Sequence, residues 1–474
     1  SENVGHALVV GNSTSPTTKE GPLGRRNTTR RGPLPNPAIH ADDSTLTSFS
    51  GIVPLIRFIE EKLDIGQALL RVAPRDGFRR VYARHLVLFA FMVAALVGEH
   101  RLAHVEALRG DAVLLKFLRL PGWPVRKVFS SALAQISDAG IAALHELIAR
   151  VGLQPLAGRS HAVIDLDSSA VVAFGRQEGT RFGYSGKGRN RRRHHPLVAS
   201  IAEIRTVVRA VYRDGSGITS EETIAFLKTV FATVRRHIGE GVALKFRADS
   251  GFWSHAVGAW LLEQNVPFIF ALPLHCGVKL MLRRTRWRGL DGDKDIQVAT
   301  LRGPRVGLDE RLRVVAVRRR VLDPKAPPQG KRIDGCTHWR YQALVTSMDG
   351  VPEELWRFYN GRADCERVFR TARQALGMGK LVGQVFRANE AAFMLRLLAM
   401  NADLRFQADR EARAERAPDA KSAPRQGLIR RQRSFYRTPG RLLKSQGRWR
   451  LRVPDRPSLA ELWRHYAPGR VALE

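Results

Sequence analysis

The sequence predicts an α/β protein with a helical N-terminal domain, a β-rich insertion and a basic C-terminal tail. Three observations carry that reading. Residues 45–158 are apolar at helical rather than strand spacing. A β-branched run, HAVIDLDSS, opens a segment in which strand and helix patterns alternate. Residues 285–347 then hold only short β-prone runs (IQVATLR, LRVVAVRR, RYQALVTSM) between Gly, Pro and charged turns.

Taken in order, residues 1–44 are rich in Gly, Ser, Thr, Pro and Arg without periodicity and read as a disordered basic arm. Residues 45–158 form the helical domain, a natural DNA-binding module on a basic protein. Ser48 or Ser50 is placed to open its first helix, and Ser137 and Asp138 to cap its last. From 159 to 275 the order is βββαβαβ: HAVIDLDSS, PLVASIAEI and TVVRAVYRDG as strands, TSEETIAFLKTVFATVRRHI as an amphipathic helix, then VALKFRADS, SHAVGAWLLEQN and VPFIFAL. A weak capping box is expected at Ser220/Thr223. Residues 276–349 are the β-rich insertion, 350–408 return to helix and complete the domain begun at 159–275, and 409–474 are an Arg-rich, loosely ordered tail with strand pieces such as RWRLRV.

Charge narrows the function. The chain has 78 Lys+Arg against 44 Asp+Glu, a formal net charge of +34. An excess of that size implies a polyanionic partner, nucleic acid before any other. Three scattered cysteines show no metal-knuckle or disulfide spacing, which suits a reducing, cytoplasmic setting. The longest apolar run, HLVLFAFMVAALVG, is too short to span a bilayer and reads as a buried helix, and no signal core is seen.

The stretch LWRFYNGRADCERVFRTARQALGMG carries the chemistry. On one continuous helix, Tyr359, Arg362, Glu366 and Arg373 fall within roughly 60° of arc. Leu355, Phe358, Phe369 and Leu376 lie beside that stripe and dock it on a core. The plainer reading is a surface helix with Glu366 paired to Arg362 and Arg370. Further acids tip the balance. Asp165 and Asp167 stand two apart in a strand, on one face and roughly 7 Å apart. Asp249 ends the strand of KFRADSGF. Each has a structural alternative: Asp167 as a turn cap with Ser168 and Ser169, Asp249 as the N-cap of the helix starting near Ser254, and Glu366 as an ion-pair partner. Together they fit the needs of two hard cations such as Mg²⁺, which take carboxylate oxygens. Held about 3.5–4 Å apart, two such ions activate a hydroxyl and stabilise the leaving oxygen of a phosphodiester.

The acids, strand order and helix motif resemble the DDE transposases with an RNase H-like catalytic domain, so the resemblance implies an RNase H-like mixed sheet flanked by helices. Tyr359, Arg362 and Glu366 fit the family's Y-(2)-R-(3)-E-(6)-K signature, with Arg373 where Lys is usual. IDLDSSAV, a Gly/Arg stretch closing on HHPL, RADSGF and YNGRADCE are most similar to the insertion-sequence family numbered thirteen-eighty. The likeness runs from about residue 45 to about 408. It implies a bacterial mobile-element enzyme whose catalytic and metal-binding residues are Asp167, Asp249 and Glu366, with Asp165 in reserve for the first. It implies two Mg²⁺ ions, for which Mn²⁺ substitutes, and cleavage at inverted terminal repeats followed by joining of 3′-hydroxyls to target DNA. The partners implied are double-stranded DNA and a second copy of the chain on paired ends, with no membrane and no nucleotide cofactor. A nuclease without strand transfer and a non-catalytic transposase-derived DNA-binding protein are the competing readings.

The remaining DNA contacts are expected from Tyr359, Arg362, Arg370 and Arg373 near the cut and from Lys187, Arg191, Arg192 and Arg193 in RFGYSGKGRNRRRHHPL. That stretch lacks the Gly-Lys-Ser/Thr of a P-loop and reads as a flexible basic loop between the first two strands, beside the active site, with a solvated hairpin as the alternative. His194 and His195 lack partner spacing for a metal and read as structural or DNA-contacting. Trp287 in the insertion is expected to pack, with stacking on a flipped base as the alternative. Arg430, Arg431, Arg433, Arg437 and Arg441 are expected to track phosphates.

Overall fold

The computed structural model describes residues 43–74, 81–184, 190–290, 293–321, 331–333, 336–414, 427–455, and Trp463, His465 and Tyr466. The expected N-terminal arm and Lys187 therefore lie outside the described residues, apart from the arm's last two positions.

After a short strand, β1 (Leu46–Thr47), six helices follow: α1 (Val53–Glu61), α2 (Ile65–Val72), α3 (Arg84–Leu96), α4 (Ala112–Phe117), α5 (Arg126–Ala134) and α6 (Asp138–Leu153). Helix α3 is the apolar run and is buried along almost its whole length. Ser137 caps α6 through the Gly140 N–H, with Asp138 in the first turn, as expected.

The α/β segment opens with β2 (His161–Ser168). A small sheet, β3 (Val171–Val172), β4 (Arg181–Tyr184) and β5 (Asn190–His194), follows in spatial order β3-β5-β4. The stretch expected as a loop is therefore largely a hairpin. Next come β6 (Leu197–Ile201), β7 (Val207–Val211), α7 (Ser220–Ile238), β8 (Ala243–Ala248), α8 (His255–Glu263) and β9 (Phe268–Ala271). Strand β2 pairs antiparallel with β6 and parallel with β8, giving a mixed sheet in the order β7-β6-β2-β8-β9. This is the RNase H-like arrangement: a three-strand meander, then two parallel strands joined through helices. The capping box of α7 is complete, but Thr219 is the N-cap and Glu222 its partner, one residue earlier than expected.

The β-rich segment does not stand apart. After α9 (Cys276–Arg284), strands β10 (Arg288–Leu290), β11 (Asp293–Arg302), β12 (Arg313–Arg320), β13 (Lys331–Ile333) and β14 (Cys336–Thr346) extend the same sheet, because β14 pairs antiparallel with β9. An unpaired β9 edge would leave a row of backbone groups open, and β14 satisfies them.

Two helices, α10 (Pro352–Asn360) and α11 (Ala363–Ala375), replace the single expected helix, and the 29-residue α12 (Phe386–Ala414) follows. Helix α10 packs Leu355, Trp356 and Tyr359 on Ile269, Val298, Val315 and Leu344 of the extended sheet. Helix α12 is the spine shared by α1–α6, α11 and the C-terminal segment, whose apolar side chains form one cluster. Asn401 of α12 stitches helix to sheet: its Oδ1 accepts the Val207 N–H at 2.8 Å, and its Nδ2 donates to the carbonyls of Val207 and Ile148. The helical N-terminal region is thus continuous with the mixed sheet.

The C-terminal segment is ordered where described, against expectation. It contains α13 (Leu428–Arg431), a π turn at Gln432–Tyr436, and β15 (Gly440–Ser445) and β16 (Arg448–Arg452), which form a sheet with β1. Arg431 pairs with Asp403 of α12, and the fully buried Tyr436 donates to that same carboxylate at 2.5 Å. Arg431 is therefore structural. Arg437 binds the Val97 carbonyl and Glu99 and is also committed to the fold.

Candidate active site

Strand parity fixes the first acids. Asp165 and Asp167 point to the same face of β2, two residues apart, but meet different neighbours. Asp165 is 2% exposed and sits opposite Arg247 in the parallel β2–β8 ladder. Arg247 binds it with two prongs, Nε to Oδ1 at 2.6 Å and Nη2 to Oδ2 at 2.7 Å, and the Cys365 S–H donates to Oδ2 at 3.0 Å. Both oxygens of Asp165 are therefore occupied. Asp167 is the last residue but one of the strand, with its side chain 28% exposed and one oxygen accepting the Ser168 N–H at 2.9 Å.

Asp249 follows β8 directly. Its Oδ1 accepts the Gly251 N–H at 2.9 Å in an Asx turn. It does not cap α8, since Ser254 does so through the Val257 N–H at 3.1 Å. Its other oxygen, Oδ2, lies on the side of Arg362, which also reaches Asp167.

The third acid arrives through the break between α10 and α11. Arg247 also donates through Nη1 to the Phe358 carbonyl, removing it from the helical ladder. The Arg362 N–H then bonds the Tyr359 carbonyl, three residues back rather than four. A Cβ built at Gly361 would lie 2.8 Å from Arg247 Nη1, so glycine makes room for the clamp. The four-residue stripe expected on one helix is therefore divided: Tyr359 ends α10, Arg362 stands at the junction, and Glu366 and Arg373 lie on α11.

The three acids meet at Arg362, which is itself buried. Its Nη2 lies 3.3 Å from Asp167 Oδ1 and 3.7 Å from Asp249 Oδ2, and its Nη1 pairs with Glu366. Arg362 is thus an internal counterion here and not an open phosphate contact. Burial pushes the Asp167 carboxyl up to about 6; Arg362 opposes the rise, Asp249 and Glu366 add to it, and the Ser168 N–H opposes it. For Arg362, burial lowers the pKa, but Asp167, Glu366, Tyr359 and Asp249 outweigh it and the net direction is upward. Tyr359 is packed beneath, and burial pushes its phenol up to about 12.

Among the described residues, no three His, Cys, Asp or Glu side chains converge closely enough to enclose a metal ion as they stand. The donor set nevertheless suits a hard cation. Three carboxylates already surround one positive charge, and Asp167 is strained toward protonation.

The other expected contacts divide by exposure. Arg370 is exposed and makes no ion pair among the described residues, so Glu366 pairs with Arg362 alone. Arg373 donates to Ser169 Oγ at 2.6 Å and to the Ala170 carbonyl at 3.0 Å, holding the loop that follows Asp167. Arg191 and Arg192 are half-buried at the hairpin surface, but Arg193 is buried beneath it, which corrects its place among the surface phosphate contacts. His194 is fully buried and stacks on Phe386 at 5.5 Å, and burial lowers it to about 4. His195 Nε2 is hydrogen-bonded to Ser168 Oγ at 3.1 Å, beside Asp167. Trp287 packs: Tyr341 meets its edge at 5.8 Å, and the Arg318 guanidinium, which also covers Trp339, lies 4.6 Å over it. Sequence reasoning missed Arg247 and Cys365. The available signal was the pairing of Asp-x-Asp in one strand with Arg-x-Asp in the next.

With this geometry in place, comparison decides the family. The profile described as Transposase DDE domain group 1 matches residues 36–288, more than half of the chain. The chain belongs to this DDE transposase family. The matched span of the transposase holds Asp167 and Asp249 and stops before Glu366. Among solved structures, the transposase is similar to a piggyBac transposase in a synaptic complex with hairpin DNA, at 10% identity and a TM-score of 0.43, over 90% of this chain and 83% of that one. No curated protein matches it. No described helix of the transposase is long and apolar enough to cross a membrane.

Proposed function

We propose that this transposase cuts DNA at the inverted terminal repeats of an insertion sequence and joins the freed 3′-hydroxyls to target DNA. The observation carrying this reading is the convergence of Asp167, Asp249 and Glu366, from two strand ends and a helix, on one buried guanidinium. DDE transposases use divalent metal ions; in this chain those three carboxylates would hold them, and Mg²⁺, with Mn²⁺ as substitute, fits their oxygen chemistry. When bound, the metal supplies activation of the attacking hydroxyl and charge neutralisation at the phosphodiester. Asp165 is set aside as a ligand because Arg247 and Cys365 hold both its oxygens. Arg247 positions the Phe358–Arg362 junction, and Arg373 positions the loop after Asp167.

Arg362 takes two roles in this reading. Without metal it balances the acids; with metal and DNA its planar fork is released toward a backbone phosphate, a geometry guanidinium suits better than ammonium does. The phrases IDLDSSAV, RADSGF and YNGRADCE favour the insertion-sequence family numbered thirteen-eighty, a bacterial element, and action on paired ends favours a homodimer on cytoplasmic, nucleoid-associated DNA. Residues 45–158 are proposed as the end-recognition module.

The test is metal-dependent nicking and strand transfer with the DNA that flanks the gene. The wild-type chain should nick and join only with Mg²⁺ or Mn²⁺. Glu366→Gln should lose both activities and keep its affinity for the end DNA. Turnover near wild-type in that variant would sink the reading, and nicking without joining would point to a nuclease.

A further inference from the structure

The small sheet that follows Asp167 carries an unusual surface. Phe174 is 87% exposed, more than any other large apolar side chain among the described residues, and Phe182 is 69% exposed. Neither belongs to a hydrophobic cluster. Each ring instead lies beside a guanidinium, Arg191 at 5.9 Å from Phe174 and Arg192 at 4.9 Å from Phe182. Between them is a hollow of about 350 Å³, lined among the described residues also by Arg176 and Asn190 and by no carboxylate.

The platform is tied by hydrogen bonds to the loop that follows Asp167. Arg192 sits opposite Phe182 in the β4–β5 register, and its carbonyl accepts the Ala173 N–H at 2.8 Å. Gly179 and Gly215 bring the neighbouring backbone against Phe386 and Arg181. Strand β5 leads into His195, hydrogen-bonded to Ser168, and Arg373 grips Ser169 and Ala170. Phe174 is seven residues from Asp167, so the chain cannot separate them by more than about 25 Å.

We propose that Phe174 and Phe182, with Arg176, Arg191 and Arg192, form a stacking platform for unpaired bases of the DNA strand beside the cut. This rests on the reading of the chain as a DNA-cutting enzyme and adds what that reading does not specify, the single-stranded part of the substrate. Water-exposed phenyl rings gain from covering their faces, and an unpaired base offers a flat π face of matching size. Paired duplex hides those faces within its stack, so the rings select a frayed or nicked end. The guanidiniums supply phosphate contacts and cation–π support, and the lack of carboxylates in the hollow spares the backbone repulsion. An acid-free, cationic lining disfavours a second copy of a chain as basic as this one as the occupant.

The experiment uses the full chain, Mg²⁺-free buffer, and two probes of arbitrary sequence: a 25-base-pair blunt duplex, and the same duplex with a five-nucleotide single-stranded tail carrying 2-aminopurine. The wild type should prefer the tailed probe and quench the 2-aminopurine. Phe174→Ala/Phe182→Ala should weaken tailed-probe binding by about 5- to 150-fold for each base that stacks, abolish the quench, and leave blunt-duplex affinity unchanged. Phe174→Trp/Phe182→Trp should restore both readouts, which separates stacking from misfolding. Equal wild-type affinity for the two probes, an unchanged quench in the alanine pair, or a change confined to oligomeric state would overturn the proposal. A tail preference in a chain that never nicks DNA with metal would overturn the catalytic reading and leave the platform standing.

Discussion

Arg247 grips Asp165 with both prongs of its guanidinium, at 2.6 and 2.7 Å, from the opposite position of the neighbouring parallel strand. The pair is buried, 5% and 2% exposed by side chain. It ties up both oxygens of Asp165 while Asp167 stays partly exposed, and through the Phe358 carbonyl it sets the helix break before Arg362 and Glu366.

Asp165→Asn should therefore be a stability variant. Removing one partner of a buried, two-pronged pair leaves an uncompensated guanidinium and should cost about 3–5 kcal/mol, read as a lower urea midpoint. Asp167→Asn should leave that midpoint the same or higher and abolish nicking. The reverse pattern would exchange the roles of the two residues.

Asp167 should also make stability pH-dependent. Its folded carboxyl titrates near 6 against an ordinary value of 3.8, so the folded state binds its proton more tightly than the unfolded chain does. The resulting contribution is fully present below 3.8 and is lost as pH rises through about 6, by no more than about 3 kcal/mol. In chelator-treated samples the stability of Asp167→Asn should gain on wild type as pH is raised from 4 to 7. A constant difference across that range would contradict the buried, acid-crowded environment.

Arg362→Gln removes the charge that three carboxylates share. In metal-free buffer near pH 7.5 it should lower stability by about 1–3 kcal/mol, a range reduced because Asp249 and Glu366 are 43% and 41% exposed. Mg²⁺ should recover much of that loss and stabilise the variant more than it stabilises wild type, because no guanidinium competes for the acids. Thermal melts with and without Mg²⁺ give the answer. Equal metal effects in the two proteins would mean that Arg362 does not stand in the ion's place.

Affinity for duplex DNA should fall steeply with salt. With a net charge of +34 and roughly 6–10 phosphates neutralised, binding should weaken about 10³- to 10⁵-fold between 50 and 200 mM salt. Arg370→Ala should flatten the slope by about one phosphate, whereas Arg193→Ala should leave the slope unchanged, since Arg193 is buried. Anisotropy titrations across salt concentrations test both.

Local physics made much of this chain legible in advance. Strand period placed Asp165 and Asp167 on one face, the turn after KFRADS placed Asp249 at a strand end, and capping chemistry marked α6 and α7 near their true starts, because each depends on residues within a few positions. Charge composition likewise pointed to DNA without any structure. What tertiary structure alone decided were competitions between distant groups. Arg247 takes the Phe358 carbonyl and splits a helix that periodicity draws as continuous. Strand β14 extends the mixed sheet because the β9 edge is available. Asp403 draws Arg431 and Tyr436 into the core from a tail whose composition resembles disorder. Arg362 holds three acids that the sequence spreads across two strand ends and a helix. In each case the deciding partner lies far along the chain, and the free energy of burying a charge or backbone group with that partner overrides the local preference that sequence pattern records.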